Sequence, residues 1–153
     1  MDKLRIQTSI VSVSTPGVYL GDDGEAREKA REVNEYPAEV VRKHPTRFGF
    51  FATPCLPDVK SSTDELVYAF DQLHADGVVL LANSRGIYLG EKVFDPLFDE
   101  LNKRNAVVFV HPSHLYGLEP LKGMPLFVAD FLLDTTRAAV RLGGSGTLDR
   151  CPR

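Results

Sequence analysis

Three short apolar runs recur along the chain. FGFFATP starts at Phe48, GVVLLAN at Gly77 and AVVFVHP at Ala106, so successive starts lie 29 residues apart. Each run is rich in Val, Phe or Leu and alternates little between apolar and polar, the pattern of a parallel strand covered on both faces. A fourth candidate strand, QTSIVSVS over residues 7–14, alternates more strongly.

Helical periodicity fills the intervals. Residues 62–75 place Leu66, Phe70 and Leu73 on one face and open with Ser62 and Glu65, the spacing of a capping box. A second helix is expected after Gly90, with Asp95 as N-cap, Pro96 at the first helical position and Leu97, Phe98 and Leu101 turned inward. A third is expected over residues 125–142, burying Phe127, Val128, Phe131, Ala138 and Leu142 and stopped by Gly143 and Gly144. Residues 24–43 are helical by Ala26, Ala30 and Val33, but Pro37 lies inside. An interior proline costs ~3 kcal/mol, which predicts a break or kink near Tyr36.

Strand alternating with helix at a fixed spacing means βα units and a parallel α/β sheet. Either an open doubly wound sheet or part of a (βα)8 barrel satisfies that pattern. A whole barrel takes ~250 residues, so a single domain of 153 residues with about four βα units corresponds to half of one.

Composition narrows the class. The chain is 43% hydrophobic and 25% charged with a net charge of −3, which excludes a strongly basic nucleic-acid surface. Two cysteines, Cys55 and Cys151, are too few for a disulfide scaffold and point to a reducing, cytoplasmic setting. Apolar runs of five residues fall far short of the ~20 of a membrane span, and MDKLRIQTSI does not read as a signal peptide.

In both parallel architectures, chemistry gathers at the carboxyl ends of the strands. His111 ends the run AVVFV and precedes Pro112. An imidazole there can ligate a metal or move a proton, or it can be a partly buried ring bonded to a backbone carbonyl. His114 reads as a surface loop residue, His44 as a cation at a helix C-terminus and His74 as a member of the last turn of its helix. Cys55 reads as a small buried thiol, and GGSGT from Gly143 follows a helix and lacks the lysine of a phosphate loop. The loop NSRGIYLGE, residues 83–91, leaves another strand end, which makes Asn83 a candidate substrate contact.

Taken together, GVVLLANSRGIYLGEKVFDPLFDELNKRNAVVFVHPS resembles the amidohydrolase-related (amidohydrolase 2) family. The nearer branch contains aminocarboxymuconate semialdehyde decarboxylase and the resorcylate decarboxylases. VSVSTPGVYLGD, KHPTRFGFFATPCLPD and DFLLDTTRAAVRLGGSGTLDRCP agree with it. The resemblance implies a (βα)8 barrel, here strands two to five, with a divalent metal, usually zinc, at the strand ends. It also implies non-oxidative decarboxylation of an unsaturated or aromatic carboxylic acid, with metal-dependent hydrolysis as the other chemistry of the family. His111 matches the family's metal-binding histidine on the fifth strand. Asp134 and Arg137 match its DTTRA segment, where an i, i+3 pair along one helix serves structure.

The family's first-strand His-x-His does not precede Gln7, and its Ser-His-Ala-Gly histidine and late aspartate would lie beyond Arg153. The expectation is therefore a partial barrel that binds metal weakly and is inactive alone, with no catalytic residue assigned within it. Open barrel edges make self-association the expectation from another class, a non-catalytic module that forms a homo-oligomer.

Overall fold

A computed structural model describes residues 1–117, 119 and 121–152. Four strands, β1 (Ser9–Val11), β2 (Phe48–Ala52), β3 (Gly77–Leu81) and β6 (Val108–His111), form one sheet in the order β1-β2-β3-β6. Every pairing in it is parallel. Helix α1 (Asp23–Lys43) joins β1 to β2, α2 (Val59–Asp71) joins β2 to β3, and α3 (Asp95–Lys103) leads into β6. A short antiparallel hairpin, β4 (Asn83–Ser84) and β5 (Ile87–Tyr88), rises from the end of β3. Helices α4 (Asp130–Gly144) and α5 (Thr147–Arg150) follow β6. The sheet curls into half of a (βα)8 barrel, the one of the two architectures allowed by the strand spacing that the resemblance implies. Among the described residues no helix is long and apolar enough to cross a membrane.

The two faces of the sheet differ. Phe50, Ala52, Val78 and Leu80 are buried against Leu66, Ala69, Leu97 and Leu101 of the helices, and Val108 and Val110 pack on the same cluster. Burying such side chains stabilises by ~1.5–3 kcal/mol each, which makes this layer the core. The opposite, concave face carries Phe51, Gly77 and Phe109. A Cβ at Gly77 would stand 2.7 Å from the Val107 carbonyl oxygen, so glycine is what lets β6 approach β3. The run AVVFV is not covered on both faces as its composition suggests: Val107 is 57% and Phe109 50% exposed.

Several element ends depart from the sequence reading. Helix α2 begins earlier than expected, capped by Asp58, whose side chain accepts from Ser61 N. Ser62 and Glu65 form no capping box; both are buried, and Glu65 turns to α1 to accept from Arg31 and Asn34. His74 lies past the end of α2 with a φ of 58°, not in its last turn. Asp95 is the first residue of α3 and not its N-cap, which is Phe94, so Pro96 stands second in the first turn and no side chain caps the helix. The 125–142 segment is a 3-10 turn (Leu126–Val128) followed by α4, with Phe127 and Val128 exposed, and α4 continues through Gly143. Helix α1 is continuous across Pro37. Ala26, Ala30 and Asn34 are fully buried on one side of the proline, and Ala38 and Val41 pack on the core on the other. That packing offsets the local cost of the proline.

Candidate active site at the carboxyl ends of the strands

A cavity of about 200 Å³ opens where the parallel strands end. Val13, Val18, Leu56, Val79 and Leu81 give it apolar walls, and Arg85, Ser113, His114 and Tyr116 form its rim. The strands deliver these groups directly: β3 runs through Leu81 into Asn83, and β6 runs through His111 into Ser113. This is the rim on which parallel α/β folds carry their chemistry.

His111 closes β6, opposite Leu81 of β3. Its Nδ1 lies 2.6 Å from the Pro112 carbonyl oxygen. A carbonyl only accepts, so Nδ1 donates and the neutral ring keeps its lone pair on Nε2, the arrangement of a metal-ligating imidazole. The ring meets Phe131 edge-on at 6.3 Å and Phe109 at 6.4 Å. It stands beside the cavity, which Ser113 and His114 line instead.

One imidazole does not make a metal centre. Among the described residues, no three His, Cys, Asp or Glu side chains are grouped so as to hold an ion. Catalytic zinc takes three protein ligands. The donors of these residues by themselves therefore do not fit a bound divalent metal.

Asn83 lies on the cavity wall and is 3% exposed. Its Nδ2 donates to the His114 carbonyl (3.0 Å) and to Asp134 Oδ1 (2.8 Å), and its Oδ1 accepts from Gly86 N (2.9 Å). Asp134 is fully buried and also accepts from Tyr88 OH at 2.8 Å and Ser113 N at 2.6 Å. Burial first, then the bond to Asp134, pushes the Tyr88 phenol above its ordinary range. The structural role expected of Asp134 holds, but its partners are these three groups from other elements. Sequence reasoning matched the DTTR segment without finding this junction.

Arg85 lies in the loop after Asn83, where no local spacing marks it out. It donates to Tyr19 OH at 3.3 Å, and the two tyrosines beside it, Tyr116 first, hold its guanidinium above the usual range. His114 is exposed, as expected. His44 caps the C-terminus of α1 and sets its ring against Phe48. Cys55 is the buried thiol expected, 1% exposed, with Ser62 Oγ donating to it at 3.7 Å. Burial pushes it above the ordinary thiol range, which keeps it protonated and unreactive near neutral pH. GGSGT ends α4 and leads into α5, with Ser145 and Thr147 hydroxyls 2.8 Å apart, and makes no phosphate loop.

Comparison with known proteins adds a consistent picture. A family model described as Amidohydrolase matches residues 12–153. A decarboxylase of Aspergillus niger is 39% identical over 166 residues, covering 99% of this chain and 45% of the relative. The 6-methylsalicylic acid decarboxylase of Aspergillus aculeatus is 39% identical over 150 residues, covering 95% and 46%. The crystal structure of a dihydroxybenzoic acid decarboxylase from Polaromonas, with bound manganese and the inhibitor 2-nitroresorcinol, superposes with a TM-score of 0.82 at 27% identity. That match covers 99% of this chain and 49% of the other. The chain spans about half the length of the curated relatives it matches.

Proposed function

The chain belongs to the amidohydrolase family, and from that premise we propose that it builds part of the active site of a decarboxylase acting on a small aromatic carboxylic acid. The observation that carries this reading is the cavity at the strand ends. At about 200 Å³ it is smaller than the ~300–1,000 Å³ of drug-sized ligand sites and suits a single ring. Its apolar walls take the ring, and Arg85 on the rim supplies the positive charge that an acid needs. Asn83 lines the same space with its amide engaged in holding the rim, and His114 stands exposed at the mouth.

The reaction breaks the bond between ring carbon and carboxyl carbon. The electron pair stays on the ring carbon, which takes up a proton as carbon dioxide leaves. Decarboxylation is favoured over the family's hydrolytic chemistry because the relatives above are named decarboxylases. We assign His111 as this chain's donor to a divalent metal. Manganese occupies the Polaromonas relative, and zinc is the ion implied by the sequence resemblance. Because the described residues group no full set of donors with His111, the chain alone is expected to bind metal weakly and to be inactive.

The test joins this chain to the part of the Polaromonas enzyme that it does not cover and supplies Mn²⁺ or Zn²⁺. Carbon dioxide release from 6-methylsalicylic and dihydroxybenzoic acids is then measured. Turnover is expected, and His111→Ala should lower it by at least ~100-fold, since losing even an outer-shell partner costs ~10–100-fold. Turnover unchanged by His111→Ala removes His111 from the site.

A second reading, self-association, is favoured by the exposure of Val107 and Phe109 on the concave face and of Leu132, Leu133 and Val140 on α4. Sedimentation velocity is expected to show a dimer or larger species; a monomer across the concentration range contradicts it.

A further inference from the structure

Three segments distant in sequence meet on one carboxylate. Asp134 Oδ1 accepts from Asn83 at the end of β3 and from Tyr88 of the hairpin, while Oδ2 accepts from the backbone of Ser113 after β6. Asn83 extends the junction, reaching the His114 carbonyl and Gly86 N. Asn83, Ser113 and His114 all line the cavity, and Ser113 follows His111 by two residues. A fully buried carboxylate that takes three such bonds makes their geometry over-determined, because each donor left unpaired in a buried place carries its own desolvation cost.

We propose that Asp134 is the positioning residue of the cavity rim, locking the β4–β5 hairpin to the loop after β6 and so fixing where Asn83, Ser113 and His114 stand around a bound ring. The ligand-binding part of this assignment rests on the decarboxylase reading; the locking part does not. Asp134→Asn keeps the shape but cannot keep the bonds. Whichever way the new amide turns, its NH₂ faces a donor, either Ser113 N–H or the Asn83 amide.

The test uses the full chain, isotope-labelled, with amide hydrogen exchange followed residue by residue. In Asp134→Asn the amides of Ser113 and Gly86 are expected to exchange roughly 10–100-fold faster relative to Phe50 and Val79 in the core strands. Asp134→Glu, which keeps two acceptor oxygens, is expected to recover part of that protection. Equal acceleration at the rim and in the core, or no acceleration at the rim, overturns the proposal. Should Asp134→Asn fail to fold, Tyr88→Phe removes one donor and leaves the carboxylate. Gly86 is then expected to quicken relative to Phe50 and Val79, and an unchanged Gly86 overturns the proposal.

A second arm measures binding of 2-nitroresorcinol, whose Kd is expected to rise about 10-fold in Asp134→Asn, the loss of one modest hydrogen bond. An unchanged Kd where the native chain binds overturns the assignment of the rim to the ligand. This arm is run on the chain joined to the remaining part of the Polaromonas enzyme and supplied with Mn²⁺; there, failure of the native sequence to bind the probe defeats the decarboxylase reading, while the exchange result on the chain itself still decides the lock.

Discussion

Asn34 illustrates how much a single amide carries in this fold. Buried in the middle of α1, it accepts from Thr53 N at 2.8 Å and donates to Thr53 O and to Glu65 Oε1, both at 3.0 Å. Glu65 is closed on its other oxygen by Arg31 Nε at 2.8 Å. The end of β2 is thereby clasped to two helices, and Thr53 with its neighbour Pro54 forms part of the cavity wall. Asn34→Ala leaves Thr53 N–H and one carboxylate oxygen without this partner in a buried place. Urea unfolding is expected to show a loss of about 2–4 kcal/mol; a loss below ~1 kcal/mol means that water or repacking satisfies the site. The place of His111 was legible in the sequence, because a histidine ending an apolar run falls at the carboxyl end of a parallel strand, here β6. The junctions at Asn34 and Asp134 were not. The partners of Asp134 lie 51, 46 and 21 residues away, and no local spacing records such distances.

At the scale of elements, hydrophobic pattern and helix boundary separate cleanly. The strands were legible because β2 and β3 are largely buried and read as unbroken apolar runs. The start of α2 was not, because two capping patterns compete within five residues and tertiary contacts choose between them. Asp58 wins: bonds from Ser61 first, then the Arg27 guanidinium, hold its carboxyl below the usual range. A folded pKa lowered in this way stabilises above the unfolded value of ~3.9 and is lost as pH falls through the folded value. Asp58→Ala is therefore expected to cost about 1 kcal/mol at neutral pH, with the difference from the native chain vanishing in acid; an equal deficit at both pH values contradicts the cap. Pro37 gives a prediction of the opposite sign. Since α1 runs through it without a break, Pro37→Ala restores a backbone donor and should raise stability by ~1–3 kcal/mol in thermal or urea unfolding. A loss of stability would show that the ring itself packs where the methyl cannot follow.

For the whole molecule, four parallel strands and their helices reproduce half of a (βα)8 barrel, and the family, fold and class of relatives follow from the sequence pattern and the comparisons together. Fold alone does not decide chemistry, which lives in the residues brought to one place. Here an apolar cavity carries a guanidinium, while the His111 imidazole stands beside it with Nδ1 on the Pro112 carbonyl, and among the described residues these groups do not amount to a cation site. Elemental analysis after dialysis is expected to find well under one equivalent of manganese or zinc per chain, and a retained equivalent contradicts this. The most direct measurement of the central claim is carbon dioxide release by the purified 153-residue chain alone, supplied with Mn²⁺ and a dihydroxybenzoic acid. The account predicts no release above that of Mn²⁺ without protein. Sustained release that disappears in His111→Ala would contradict it.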